Sequence, residues 1–173
     1  MAEATEIVAV PRLDLTRYLG RWYEICRLPI KQEDVSATDI TATYALNENG
    51  TIRVDNRCFD RDGKPVQAIG EATPVDATNA RLKVSFLPAY LKWVPFTTGD
   101  YWVLKLDPDY RVSLVGTPDR EHLWLLAREP GLPQAAIEDY LAEARRPGFD
   151  LTALIRPRHT GRVVTDAVIG QAK

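Results

Sequence analysis

Side chains able to do covalent or metal chemistry are sparse in this sequence. Among 173 residues there are two histidines, His122 and His159, and two cysteines, Cys26 and Cys58. Their spacing matches no common metal-binding motif, and no Gly-x-Ser-x-Gly elbow supplies a nucleophile. We therefore expect a protein that is not an enzyme and that needs no metal or cofactor.

The two cysteines are candidates for a disulfide bond. In the order of strands predicted below, Cys26 and Cys58 lie on the first and third strands. Neighbouring strands are about 4.8 Å apart, so these two are roughly 10 Å apart, beyond the disulfide reach of about 7 Å. We predict two separate thiols.

The segment 87–98, LPAYLKWVPFTT, is apolar where a loop is normally polar. It forms either a lip that enters a membrane surface or shields a ligand, or a local core folded back over the strands. Both interpretations remain open at this point. Its large apolar side chains are Tyr90, Leu91, Trp93, Val94 and Phe96.

Composition excludes several classes of protein. The length predicts one domain over residues 1–173, and a net charge of −2 gives no basic excess for nucleic acid. No stretch approaches the roughly 20 apolar residues that span a bilayer. The first residues lack the basic and apolar regions of an export signal, so the sequence as it stands predicts a cytoplasmic protein. Removal of such a signal would instead place it in the periplasm or at the outer membrane.

Short β-rich segments alternate with turn signals along most of the chain. Two of the turns, 47–50 and 60–63, end in glycine and are typical of β-hairpins. We predict an all-β fold, an eight-stranded antiparallel up-and-down barrel over about 20–128. The predicted strands are residues 22–28, 39–46, 51–59, 66–75, 80–87, 100–106, 111–116 and 122–127.

Alternation of side chains predicts which face of each strand lines the barrel. In the third strand Val54, Asn56 and Cys58 point inward, because the opposite face carries the charged residues at 53, 55 and 57. The same rule points Ile40, Ala42, Tyr44, Leu82, Val84 and Phe86 inward, and Asp39, Thr41 and Thr43 outward.

One helix is predicted outside the barrel, over about 133–146. Pro133 suits its first position, Gly148 follows its end, and an apolar face faces the strands. A short last strand is expected at about 151–156, and both order and disorder remain open for the tail 158–173. The apolar face consists of Ile137, Tyr140, Leu141 and Ala144.

Three short motifs stand in order along the predicted barrel. Gly20-Arg21-Trp22 begins the first strand, Gly99-Asp100-Tyr101 precedes the sixth, and Arg128 follows the eighth. With these motifs, the sequence over about 13–155 resembles the lipocalin family, in particular apolipoprotein D and the bacterial outer-membrane lipocalins. The segments GRWYEICRLP and LVGTPDREHLWLLAREP carry much of that similarity.

The resemblance implies binding and transport or storage of a small hydrophobic ligand, chiefly a fatty acid or lysophospholipid, with a role in membrane maintenance. It implies that Trp124 and Asn56 contact the ligand. It also implies a structural stack of Arg128 on Trp22, with Gly20 and Asp100 as the other residues of the structural signature. The other residues expected to line the ligand are Tyr44, Val54, Cys58, Phe86, Tyr101 and Val103.

Two other functions remain open. The protein could act at a membrane surface through the loop 87–98, or bind a tetrapyrrole through His122, as some members of the wider family do. An enzyme that uses His122 or Cys26 is a weaker form of the second alternative. The expected partners are therefore a lipid and a membrane surface but not nucleic acid, for a monomer or homodimer.

Overall fold

A computed structural model describes residues 5–30, 35–86 and 98–171 of the chain. Its helices are α1 (Leu15–Tyr18), α2 (Gln134–Arg145) and α3 (Asp166–Gln171). The strands are β1 (Gly20–Arg27), β2 (Thr38–Leu46), β3 (Ile52–Phe59), β4 (Pro65–Pro74), β5 (Arg81–Phe86), β6 (Thr98–Leu106), β7 (Val112–Gly116) and β8 (Leu123–Ala127).

The eight strands form a closed antiparallel barrel in which each strand pairs with the next and β1 pairs with β8. This confirms the predicted fold class. Both predicted hairpin turns are present, with Gly50 at φ 86° and Gly63 at φ 77°, in the left-handed region that glycine tolerates. Closure leaves no free sheet edge.

A β-bulge interrupts β1 near its middle. The register with β8 shifts between Glu24 and Cys26, so Ile25 is an extra residue on β1. Glu24 pairs with Leu126, which packs inside the barrel, while Cys26 pairs with Leu125, which packs outside. The bulge therefore turns Cys26 out of the interior.

Helix α2 packs on the outside of the barrel, as predicted. Its buried residues are the four of the predicted apolar face, and they join an outer cluster with Leu114 and Leu125. This contact explains why β8 is apolar on both faces. Pro133 occupies the N-cap position of α2 rather than the first helical position, and Gly148 beyond its end has φ 104°.

The tail after α2 packs against the outer face of β1–β4. Of the predicted last strand only a single antiparallel bridge is present, between Arg27 and Ile155. Val164 is buried and accepts a hydrogen bond at its carbonyl from Arg57. Arg162 lies over the ring of Phe59, 4.0 Å from its centroid.

Asp39 and Asp55 lie on the outer face, as alternation predicted, but they are buried there rather than exposed. Asp39 is 1% exposed and accepts hydrogen bonds from the backbone and the hydroxyl of Thr160. Asp55 is 3% exposed because Arg57, which also binds Asp166 of α3, lies across it. Thr41 is likewise buried. These residues lie on the outer face, but the tail or neighbouring side chains cover that face.

None of the helices in the described ranges has both the length and the apolar composition needed to cross a membrane.

Candidate functional site

The interior of the barrel encloses a cavity of about 150 Å³, here called the barrel cavity. Its wall is largely aliphatic and comes from strands on every side, with Leu15 and Leu19 contributed from around α1. The aliphatic wall residues include Ile40, Ala42, Ile52, Ala68, Ala72, Leu82, Val84 and Leu126. The barrel cavity can therefore remove a slender apolar molecule from water.

Most of the residues that were expected to line a ligand do border the barrel cavity. They are Tyr44, Val54, Asn56, Cys58, Phe86, Tyr101 and Trp124. Val103 is fully buried among apolar side chains inside the barrel, but it does not border the barrel cavity. The lip residues Tyr90, Leu91, Trp93 and Phe96 lie outside the described residues.

Trp22 closes one end of the barrel. Its side chain is 0% exposed, and its indole Nε1 donates a hydrogen bond to the carbonyl of Tyr18 at 2.9 Å. The guanidinium of Arg128 lies over the indole, 3.8 Å from the ring centroid, as the resemblance implied. Gly20 has φ 99°, which lets the chain turn sharply from α1 into β1 beside that guanidinium.

Arg128 also binds the backbone at this closed end. Its guanidinium donates to four carbonyls at 2.8 to 3.0 Å, and none of these hydrogen bonds involves a carboxylate. Burial lowers the pKa of Arg128, yet the side chain stays charged because arginine starts from a very high value. The four carbonyls belong to Arg17, Leu19, Arg21 and Tyr110.

Three tyrosine hydroxyls meet above Trp22. Tyr101 Oη lies 2.7 Å from Tyr18 Oη and 2.9 Å from Tyr44 Oη, and Tyr18 Oη lies 2.8 Å from Ser113 Oγ. All three tyrosines border the barrel cavity. Burial raises the pKa of Tyr18 to about 12 and raises the pKa of Tyr44 and of Tyr101 well above the ordinary value. These hydroxyls therefore stay protonated.

A second polar group lies at the level of the bulge in β1. Glu24 borders the barrel cavity and pairs with Arg27 at 3.0 Å, and both side chains are almost fully buried. The backbone carbonyl of Glu24 accepts a hydrogen bond from His159 Nε2 at 2.7 Å. The tail therefore binds the outer side of the same segment of β1 whose inner side borders the barrel cavity.

Two residues proposed for chemistry have positions that limit their roles. His122 stacks on Trp124 with ring centroids 5.9 Å apart, but it does not border the barrel cavity. Cys26 packs beneath α2 in the outer cluster. Within the described ranges, no group of three or more His, Cys, Asp or Glu residues is placed to hold a metal ion.

The two cysteines are separate thiols, as predicted, and their surroundings differ. Cys26 is 1% exposed and burial raises its pKa to about 11, whereas Cys58 is partly exposed and borders the barrel cavity. Because the thiolate is the reactive form, we expect iodoacetamide to modify Cys58 at least about tenfold faster than Cys26. Mass spectrometry of timed samples measures both rates, and Cys26→Ser and Cys58→Ser variants assign them. Equal rates would show that Cys26 is not buried as described.

Some of the site was not predicted from the sequence. Tyr18 supplies one of the three cavity hydroxyls, but it lies in α1, where no strand alternation indicates its direction. Leu15 and Leu19 were missed for the same reason. The signal available was their three- and four-residue spacing, which puts Leu15, Tyr18 and Leu19 on one side of a helical turn.

Comparison with known proteins agrees with the barrel fold. A family described as "Lipocalin-like domain" matches residues 13–159 of this chain. The chain therefore belongs to the lipocalin family. The family binds small hydrophobic ligands, and its members are generally binding or transport proteins.

Individual relatives confirm the subgroup that the sequence resembled. Temperature-induced lipocalin-1 of Arabidopsis thaliana is 39% identical over 157 residues, covering 89% of this chain and 83% of the relative. Outer membrane lipoprotein Blc of Escherichia coli K12 is 38% identical, covering 90% and 84%. Apolipoprotein D of Bos taurus is 36% identical over 131 residues, covering 72% and 65%.

Among solved structures, insecticyanin from the tobacco hornworm Manduca sexta is similar, with a TM-score of 0.65. The alignment covers 95% of this chain and 88% of insecticyanin at 17% sequence identity. At that identity the likeness supports the shared fold and nothing further.

Proposed function

We propose that this protein binds and carries a lipid with a single acyl chain, such as a fatty acid or a lysophospholipid, in the barrel cavity. The observation that carries the proposal is an aliphatic cavity inside a closed barrel, with one end sealed by Trp22. Each buried methylene contributes about 0.8 kcal/mol, so an acyl chain supplies affinity along its length. The narrow interior of an eight-stranded barrel favours one chain over two.

The proposed role of this lipid carriage is membrane maintenance. The Escherichia coli relative is named an outer membrane lipoprotein, which supports the envelope alternative for this protein over a cytoplasmic location. Action at a membrane surface through residues 87–98 stays a prediction, since that loop lies outside the described residues. Tetrapyrrole binding is less favoured, because His122 does not border the barrel cavity.

Filling the barrel cavity tests the proposal. Ala42 borders the cavity, while Ala45 on the same strand is exposed on the outer face. We expect Ala42→Leu to weaken binding of hexadecanoic acid about tenfold, because the added carbons occupy ligand volume. Ala45→Leu makes the same chemical change outside and should leave the affinity unaltered.

The measurement is displacement of a fluorescent fatty-acid probe that quenches Trp124, with thermal melts to show that both variants fold. Equal affinity in the two variants would place the ligand outside the barrel cavity. Failure of hexadecanoic acid and of lysophosphatidylcholine to displace the probe from the unaltered protein would overturn the proposed function.

A further inference from the structure

The hydroxyl groups at the closed end form a hydrogen-bonded chain that contains one more hydroxyl hydrogen than it has hydrogen bonds. Ser113, Tyr18, Tyr101 and Tyr44 are linked in that order by three hydrogen bonds. Each hydroxyl carries one hydrogen, so four hydrogens serve three hydrogen bonds among the described residues. One of the four hydroxyls therefore still has a hydrogen to donate.

The surroundings favour one of these hydroxyls over the others. Ser113 is 0% exposed and does not border the barrel cavity, whereas Tyr44 does border it. A hydroxyl hydrogen left without an acceptor in a packed interior costs free energy, while one that points into a cavity can meet a ligand or water. Tyr18 or Tyr101 would keep the extra hydrogen only by accepting from both neighbours, whereas a chain in which each inner hydroxyl donates once and accepts once is cooperatively strengthened. The favoured direction therefore runs from Ser113 through Tyr18 and Tyr101 to Tyr44, which leaves the extra hydrogen on a residue that borders the cavity.

We propose that Tyr44, supported by Tyr101 and Tyr18, donates a hydrogen bond to an oxygen at the end of the ligand that enters the barrel first. The ligand class is then an acyl chain that carries a hydroxyl or carbonyl oxygen at or near its far end, rather than a plain hydrocarbon tail. This inference rests on the proposed function of the barrel cavity. The chain of hydroxyls strengthens the donor, because each hydrogen bond polarises the next.

The charges around the closed end favour a neutral oxygen over a carboxylate. Arg57 borders the barrel cavity, but its guanidinium pairs with Asp55 and Asp166. Arg128 acts electrostatically on Tyr18 and Tyr44, but it lies against Trp22 and does not border the barrel cavity. Its guanidinium already donates to four backbone carbonyls. A carboxylate among the tyrosines would lose its hydration without a direct ionic partner, whereas a hydroxyl or carbonyl needs only a donor.

Matched fatty acids test this inference. Dodecanoic and hexadecanoic acids are compared with ω-hydroxydodecanoic and ω-hydroxyhexadecanoic acids by probe displacement, so that each pair differs by one hydroxyl. The proteins are the unaltered chain, Tyr44→Phe, and the double variant Tyr44→Phe with Tyr101→Phe. Tyr23→Phe is the matched control, because Tyr23 packs outside the barrel in the outer cluster.

The quantity compared is the affinity of the hydroxylated acid relative to its plain partner. We expect this ratio to fall about threefold in Tyr44→Phe and about tenfold in the double variant, the scale of one or two neutral hydrogen bonds. Tyr23→Phe should leave the ratio unchanged. If the double variant does not fold, the single variant decides the question.

The outcomes separate this inference from the proposed function. A ratio unchanged in Tyr44→Phe and in the double variant overturns the inference, while binding of the plain acids still supports the proposed function. Equal weakening of both acids in the phenylalanine variants would place the carboxylate at the closed end and also overturns it. If none of the acids displaces the probe from the unaltered protein, the proposed function itself fails.

Discussion

Replacement of Trp22 by alanine is expected to lower the free energy of unfolding by about 3 to 5 kcal/mol, the range for large aromatic residues in cores. Trp22 is 0% exposed, its ring lies tilted against that of Tyr18 with centroids 4.9 Å apart, and Arg128 lies over it. The change leaves a large void at the closed end and removes the hydrogen bond from Nε1. Urea unfolding followed by circular dichroism measures the loss.

Trp102→Ala is the matched control for this prediction. Trp102 is only partly buried, so its loss should cost clearly less than the loss of Trp22. Trp22 does not border the barrel cavity, so we expect its role to be in the fold and not in ligand binding. An unchanged unfolding midpoint in Trp22→Ala together with lost ligand binding would contradict that assignment.

The strands of this barrel could be predicted closely from the sequence, because alternation and turn chemistry act locally. In β3 the charged residues 53, 55 and 57 alternate with inward residues, and Gly50 and Gly63 supply the positive φ of the turns at its two ends. Where both faces of a strand are apolar, as in β8, the pattern predicts a cover, and α2 provides it. Local signals therefore determined the order and faces of the strands.

The parts that could not be predicted depend on contacts between segments far apart in the chain. Alternation places Asp55 on the outward face of β3 and gives no sign that this face is covered. Its cover includes Arg57, which binds Asp166, a residue more than one hundred positions later in the chain. The bulge at Ile25 likewise follows from pairing with β8, which alternation along β1 alone does not show. Tyr18 joins the cavity hydroxyls through the packing of α1 beneath the barrel. Each of these three features depends on contacts that form only in the folded protein.

Arg128→Ala is expected to destabilise the protein by about 3 kcal/mol, the second largest effect among these variants. The change removes the cation from the face of Trp22 and leaves four backbone carbonyls without their donor. Arg128→Lys keeps the charge, but a single ammonium group cannot reproduce the planar fork that serves those carbonyls. We therefore expect Arg128→Lys to recover less than half of the loss in urea unfolding.

Arg111→Lys is the matched control that separates the effect of guanidinium geometry from the effect of charge. Arg111 is 56% exposed and pairs with exposed Glu129, so Arg111→Lys should change the free energy of unfolding by less than about 0.5 kcal/mol. Because Arg128 does not border the barrel cavity, folded Arg128→Lys should keep the affinity for hexadecanoic acid within about twofold. Full recovery of stability in Arg128→Lys would show that charge alone is needed. A large loss of affinity with stability intact would instead place Arg128 in the ligand site.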